Sequence, residues 1–309
     1  MNYCKDLRKV VKGKIVLDEP LKGHTTFRIG GPAKVWVEPY DVEDLKNILK
    51  FVKKNKISFF VIGEGSNLLV KDEGFNGIVI KLSSDYFNKI KSNNTCIIAG
   101  GGVKLSKLID FAKRHSLGGC EFLSGIPGSI GGALAMNAGT RINSVINNQY
   151  QSIGDLVKEV EVIDFNGNRK ILKARQLKFA YRSSNLLKYI ILFAKLNLKP
   201  RARAEIENEI TDYLSYRKRT QDSNWRNAGC VFKNPLSPSD KLLSAGYLID
   251  ACGLKKHRMG GAVVSSKHAN FIINDKNAKA RDVTNLIKYI KKVVKDEFDV
   301  ELALELKIV

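Results

Sequence analysis

Few residues in this chain have the type and setting for chemistry, and they are spread along its length. The densest group is Gly125 to Gly139, GIPGSIGGALAMNAG, in which Gly125, Gly128, Gly131, Gly132 and Gly139 surround Pro127 and nearly every side chain is small. Glycine weakens both helix and strand, so the stretch suits a backbone that lies close against something. Successive N–H groups in such turns form an anion-binding nest that suits a diphosphate. A tight packing corner would be written the same way. The spelling is not G-x-G-x-x-G, so it is no Rossmann fingerprint. A second candidate follows the apolar run 57–62: Gly63-Glu64-Gly65-Ser66-Asn67, a phosphate cradle or a plain turn. Around these stand Tyr181-Arg182, the triplet Arg217-Lys218-Arg219, Cys230 on a turn, Lys233 and Asn234 beside it, and Glu305 near the end. No nucleophile–His–carboxylate triad and no Walker A motif can be traced. The residues alone describe a cofactor enzyme with a diphosphate-bearing cofactor and an anionic substrate.

The elements that must position these residues are partly legible. A strand is expected at 14–21, a Gly30-Gly31-Pro32 turn, and an alternating strand at 33–38. Asp41 caps a helix to about Asn55, with Leu45, Ile48, Leu49 and Val52 on one face. Strands follow at 57–62, 78–82 and 95–99, then a helix at 104–115 with Leu105, Leu108, Ile109 and Ala112 on its apolar face. Residues 140–155 are polar without a period and read as a long surface loop. Strands at 157–164 and 169–173 are joined by an Asn166-Gly167 turn, and a further strand spans 189–197. After Pro200 come a helix at 203–219, a turn–strand–turn at 227–235 and a helix at 242–252. A turn and strand at 260–264, a strand at 268–274 and a helix at 280–297 follow. The chain ends in a strand, 300–309, whose alternation puts Glu301 and Glu305 opposite its apolar face.

With 309 residues, 44% hydrophobic and 27% charged, the composition fits two or three globular domains. The N-terminus carries no apolar h-region, and no stretch is apolar enough to span a membrane, so a cytoplasmic protein is expected. The five cysteines form no C-x-x-C pair and the four histidines no ligand spacing, so neither a disulfide framework nor a structural metal is expected. The net charge of +21 is spread along the chain without a Lys/Arg run. It reads as a basic surface with anionic small-molecule ligands rather than as a nucleic-acid-binding face.

Eight motifs, in order and over nearly the full length, resemble the UDP-N-acetylenolpyruvoylglucosamine reductase family. They are HTTFRIGGPA at 24–33, VIGEGSNLLV at 61–70, GIPGSIGGALAMNAG at 125–139, FAYRSS at 179–184, NAGCVFKNP at 227–235, AGYLIDACGLK at 245–255, GGAVVSSKHANFIIN at 260–274, and the final strand with Glu305. The resemblance implies an α+β protein. Residues 1–200 would form a two-part FAD-binding region of the vanillyl-alcohol-oxidase type, with subdomains at about 1–82 and 83–200, and 201–309 a substrate-binding α+β domain. It implies noncovalent FAD, NADPH as reductant, and reduction of UDP-N-acetylglucosamine enolpyruvate to UDP-N-acetylmuramate in peptidoglycan precursor synthesis. Partners would be the UDP-sugar and NADPH, without nucleic acid or membrane, on a monomer. Another flavin oxidoreductase of the same superfamily is the runner-up.

The resemblance also implies roles for particular residues. Arg182 and Glu305 serve the substrate carboxylate, where Arg supplies fixed charge and a Glu helps by donating a hydrogen bond. Cys230 stands where many members have a proton-donating serine. Gly63, Gly65, Ser66, Asn67, Gly125, Pro127, Gly128, Ser129, Gly131, Gly132, Asn137, Ala138 and Gly139 are expected at the cofactor, and Tyr181, Arg217, Lys233 and Asn234 at the substrate. Three places depart from the family pattern: His24 in place of Asn, Thr140-Arg141-Ile142 after Gly139, and Leu302-Ala303-Leu304-Glu305 for the usual Leu-Glu-Pro-Glu. No loop is inserted between Leu198 and the helix at 203, as in the second family type, which lacks a tyrosine loop over the substrate.

Overall fold

The computed structural model describes residues 3–141, 150–222, 225–236 and 242–309. The chain divides into two compact units. The first comprises Met1–Leu17, Val35–Glu64 and Gly77–Ser215, the second Asp18–Lys34, Gly65–Asn76 and Tyr216–Val309. Helices and strands are mixed in both, the expected α+β class.

The first unit is built on an antiparallel five-stranded sheet. Its order is Arg169–Lys173, Val157–Asp164, Tyr189–Asn197, Cys96–Gly100, Ile90–Asn93. The central strand reads YIILFAKLN, nearly all apolar, because it has core on both faces. Ile190 and Leu192 enter one core, Ile191, Ala194 and Leu196 the other. The parity changes at a register shift, where Glu161 faces Phe193 but Val162 faces Ile191. One core is closed by the helix Leu105–Arg114, through Leu105, Leu108, Ile109 and Ala112. The other is closed by the helix Val42–Lys54, through Leu45, Ile48, Leu49 and Val52. Asp41 caps that helix as expected, its side chain accepting from the Asp44 amide at 2.9 Å. The helix also covers a four-stranded sheet ordered Lys14–Pro20, Pro32–Glu38, Phe75–Lys81, Phe59–Ile62, whose last pair is parallel. Gly167 takes φ +89°, as the Asn166-Gly167 turn requires.

The reading of 140–155 as one loop needs correction at its ends. Gly139–Arg141 pairs antiparallel with Tyr150–Ser152, and a 3-10 turn, Ile153–Leu156, follows. The side chains are polar, so no period shows, but pairing is made by backbone, and buried Ile153 anchors the exit. The middle of the stretch, 142–149, lies outside the described residues.

The second unit has its own core. The helix Ala280–Phe298 buries Val283, Leu286, Ile287, Ile290 and Val294 against Leu248 and Ile249 of the helix Ala245–Ala251. A three-stranded antiparallel sheet, Arg258–Met259, Ala262–Val264, Ile272–Asn274, completes it, with Phe27, Ile29 and Leu69 from the early segments. Two expected strands are shorter than predicted. Residues 268–271 form a turn, with the Phe271 amide on the His268 carbonyl at 2.9 Å, before the strand begins at Ile272. At the C-terminus only Lys307–Ile308 is strand, paired in parallel with Leu68–Leu69. Before it, the chain bonds piecemeal to 231–233, and the alternation survives only as buried Leu302 and Leu306. The expected strand in 227–235 is likewise reduced to isolated bridges, Cys230 with Phe271 and Phe232 with Leu304.

Candidate active site

The glycine-rich stretch of the first unit begins in a turn at Gly125, runs through an irregular segment and enters a short helix at Ile130. Gly125 has φ +75° and Ser129 caps the helix Ile130–Met136, its hydroxyl accepting from the Gly132 amide at 3.3 Å. The stretch is clamped by backbone bonds: Leu105 N–H to Gly128 O at 2.9 Å, Ile130 N–H to Val103 O and Gly131 N–H to Gly101 O, both 2.8 Å. A Cβ on Gly131 would stand 3.0 Å from the Gly101 carbonyl oxygen, and one on Gly63 2.7 Å from Ser129 Oγ. The two glycine-rich motifs therefore meet at Gly63 and Ser129. Gly125, Pro127 and Gly132 are exposed along this stretch. Ser124 Oγ, on a residue 3% exposed, has no hydrogen-bond partner among the described residues. A buried hydroxyl left over beside exposed glycine backbone fits a ligand that brings its own polar groups. Sequence reasoning missed Ser124, because an isolated serine carries no signal.

Other residues expected at the cofactor have internal partners. Asn137 ends the helix at φ +46°. Its amide nitrogen donates to Ala180 O and its amide oxygen accepts from Gly154 N–H, both at 3.1 Å. Ala138 accepts from the Ile153 amide at 2.8 Å. In the second unit Gly65, at φ +62°, leaves no room for a Cβ, which would stand 2.1 Å from the His24 carbonyl oxygen. Its neighbour Ser66 is half-buried, and Asn67 donates its amide to the Glu305 carbonyl at 3.1 Å.

Arg182 is tethered by hydrogen bonds to a backbone carbonyl and to a tyrosine hydroxyl. Tyr181 and Arg182 form the turn between the two-residue strands Phe179–Ala180 and Ser183–Ser184. Arg182 has φ +53°, a left-handed conformation that costs a non-glycine residue about 1–2 kcal/mol and is held only by its surroundings. Its Nη1 donates to the Gly139 carbonyl at 3.2 Å and to the Tyr150 hydroxyl at 2.7 Å. Its guanidinium also lies over the Tyr181 ring, 5.2 Å from the centroid. The last glycine of the glycine-rich stretch thus holds the arginine directly. Tyr150 is a residue the sequence reading passed over, since it fell in the stretch taken for a loop.

The second unit brings Cys230 and Glu305 onto neighbouring backbone. Glu305 N–H donates to Val231 O at 2.9 Å, Lys233 N–H to Ala303 O at 2.8 Å, and Phe232 bridges Leu304. Asn270 holds this segment from the other side, its side chain accepting from Phe232 N–H at 2.9 Å and donating to Phe232 O at 2.8 Å. The turn ahead of Cys230 is shaped by Asn227, whose side-chain oxygen accepts from Gly229 N–H at 2.9 Å, with Gly229 at φ +73°. Cys230 is half-buried.

In the chain, Lys233 follows Cys230 and Lys307 follows Glu305. Partial desolvation first, and then the neighbouring Lys233, hold the Lys307 ammonium below its ordinary pKa, although the residue as a whole is exposed. Lys233 is therefore a charge neighbour of Lys307, a pairing that the sequence does not show. Asn234 accepts from the Ala245 amide at 3.0 Å and so fixes the next helix. Arg217 donates to Gln221, just past the end of its helix, at 3.1 Å. His268 stands near Asp222 and Ser265, which are hydrogen-bonded to each other, and burial lowers its pKa. Among the described residues no cluster of His, Cys, Asp and Glu could hold a metal ion. No described helix is long and apolar enough to cross a membrane.

Comparison with known proteins bears on this arrangement. Residues 33–173 match the FAD binding domain family, and residues 221–309 match the C-terminal domain of UDP-N-acetylenolpyruvoylglucosamine reductase. The UDP-N-acetylenolpyruvoylglucosamine reductase of Caldanaerobacter subterraneus subsp. tengcongensis is 43% identical over 307 residues, 98% of this chain and 96% of that one. That of Desulforamulus reducens is 41% identical over 305 residues, again 98% and 96%. The crystal structure of the reductase from Thermus caldophilus matches with TM-score 0.77 at 35% identity, covering 96% of this chain and 98% of that chain. On identity, coverage and fold together, the chain belongs to the UDP-N-acetylenolpyruvoylglucosamine reductase family.

Proposed function

We propose that this protein reduces the enolpyruvyl ether of UDP-N-acetylglucosamine enolpyruvate to the lactyl ether of UDP-N-acetylmuramate, with FAD bound noncovalently and NADPH as the reductant. The observation that carries the proposal is the 43% identity to a reductase of that name over 98% of the chain. In the net reaction the carbon–carbon double bond is lost. A hydride from NADPH goes to the terminal carbon and a proton to the carbon beside the carboxylate, and NADP⁺ is released. FAD, when bound, supplies the two-electron carrier that takes and returns the hydride.

The chain's own residues do the rest. The exposed turn at Gly125 and Pro127, with the leftover Ser124 hydroxyl, would hold the cofactor's diphosphate, and the internal bonds of Ile130, Gly131 and Gly132 would fix the backbone behind it. Arg182, fixed by Tyr150 and Gly139, presents its guanidinium to the substrate carboxylate, where negative charge grows. Glu305 serves the same group by donating a hydrogen bond. Cys230 gives the proton, since a thiol with an ordinary pKa of about 8.5 is still mostly protonated at neutral pH. Lys233 and Lys307 offer positive charge to the sugar nucleotide's diphosphate. In this reading residues 1–200 serve mainly the cofactor and 201–309 the substrate. The direct passage from the strand Tyr189–Asn197 to the helix beginning at Arg203, with only Lys199–Pro200 paired between, supports membership in the type without a tyrosine loop.

The test is the absorption spectrum of the purified protein, followed by anaerobic NADPH and then the enolpyruvyl sugar nucleotide. Flavin bands that bleach with NADPH and return with the sugar nucleotide are expected. Bands that return only with oxygen would keep a flavoprotein and discard this substrate, leaving another oxidoreductase of the superfamily. A colourless protein that cannot be reconstituted with FAD would remove the cofactor as well.

A further inference from the structure

We propose that Tyr150 is a positioning residue for this reaction, its hydroxyl setting the plane in which Arg182 presents its guanidinium to the substrate. The inference rests on the reading above that Arg182 serves the substrate carboxylate. Both hydrogens of Arg182 Nη1 are used within the first unit, one on the Gly139 carbonyl and one on the Tyr150 hydroxyl. A guanidinium is planar, so fixing one nitrogen at two points fixes the direction of its opposite edge. The ring of Tyr150 stands edge-on to Tyr181 at 6.2 Å, and the Tyr181 ring lies under the guanidinium. Arg182 is therefore held from one side by a hydroxyl and from another by an aromatic face.

The position of Tyr150 is itself set by the nest. Tyr150 pairs with Arg141 and Ser152 with Gly139 across a short antiparallel ladder. Gly139 makes room for this, because a Cβ there would stand 2.8 Å from the Tyr150 hydroxyl and 2.2 Å from the Gln151 carbonyl. The stretch after Gly139 is where this chain departs from its family's usual sequence. The return of that stretch delivers a tyrosine to the arginine.

The two half-reactions separate positioning from folding. Flavin-loaded wild type, Tyr150→Phe, Arg182→Lys and the double variant are compared by rapid mixing. Tyr150→Phe keeps its ring on Tyr181, so its melting temperature should stay within about 4 °C of wild type and its rate of reduction by NADPH within about twofold. Its reoxidation by the enolpyruvyl sugar nucleotide should slow about tenfold or more. In the Arg182→Lys background the same change should add almost nothing, since both residues act through one group. Wild-type reoxidation in Tyr150→Phe, or two defects that multiply independently, would overturn the inference while leaving the proposed reaction standing. A wild-type protein that reduces but is not reoxidised by the sugar nucleotide would overturn the proposed reaction and this inference with it.

Discussion

The Glu305 amide donates to the Val231 carbonyl at 2.9 Å, one residue after Cys230. That bond brings the last segment of the chain alongside the NAGCVFKNP turn. It sets the proposed carboxyl and the proposed proton donor on adjacent stretches of backbone.

If Cys230 gives the proton, its loss stops turnover. Cys230→Ala should fall at least about 10²-fold in kcat, the usual weight of a general acid. Cys230→Ser should retain activity with its alkaline limb moved to higher pH, because a hydroxyl holds its proton to far higher pH than a thiol. Steady-state rates between about pH 6 and 10 check this. Near wild-type turnover in the alanine variant would remove Cys230 from the mechanism.

Arg182→Lys keeps charge and removes the fork. Loss of one preorganised donor of this kind costs about 2.7–4 kcal/mol, or about 10²–10³ in kcat. The flavin absorbance should be unchanged, and the defect should lie in kcat rather than in the KM for NADPH. A defect shared equally by both half-reactions would assign Arg182 to the fold.

Two glycines separate cofactor binding from packing. Gly132 is exposed, and a Cβ there would meet only Ser129 Oγ at 3.6 Å, so Gly132→Ala fits the apoprotein and suits its helix. If backbone at Gly132 approaches a diphosphate, the same methyl should weaken FAD binding about tenfold or more, read by fluorescence titration. Gly139→Ala should instead lower the melting temperature, because its Cβ would stand 2.2 Å from a backbone oxygen, an overpacking worth about 1–3 kcal/mol. Unchanged FAD affinity in Gly132→Ala would move the nest elsewhere.

His268 makes stability depend on pH. Burial lowers its folded pKa below the ordinary 6.5, with the nearby Lys255 acting in the same direction and Asp222 opposing. As pH falls through 6.5 the unfolded chain takes up the proton before the folded one. Stability should therefore decline from that point and level off below the folded pKa. Melting temperatures from about pH 8 to pH 5 should show this slope in wild type and a shallower one in His268→Gln. Equal slopes would show that His268 gains no net cost from its burial.

Local chemistry was enough for the elements that carry a period or a cap. The helices Val42–Lys54, Leu105–Arg114 and Ala280–Phe298 lie close to where their apolar spacing and, for the first, Asp41 place them. The alternation at 300–309 predicts a full strand, but only Lys307–Ile308 forms one and only Leu302 and Leu306 of the apolar set are buried. Side-chain burial repeats along that segment, but a strand also needs a continuous partner, and a partner is not written in the segment itself. The same holds for 140–155, where polar residues hid a ladder made by backbone alone.

The sequence by itself determined the two glycine motifs, the Arg, Cys and Glu, and a family whose motifs fall in one order. Those are properties of residue type and spacing, which survive without coordinates. Only the tertiary structure decided that segments 18–34 and 65–76 belong to the compact unit of the C-terminal half, and that Asn67 braces Glu305. It alone found that Tyr150 and Gly139 hold Arg182 across 32 and 43 residues of chain, and that Lys307 stands near enough to Lys233 to feel its charge. Such contacts depend on how distant segments return to one another. That return is settled by packing and backbone pairing summed over each unit, not by any stretch read alone.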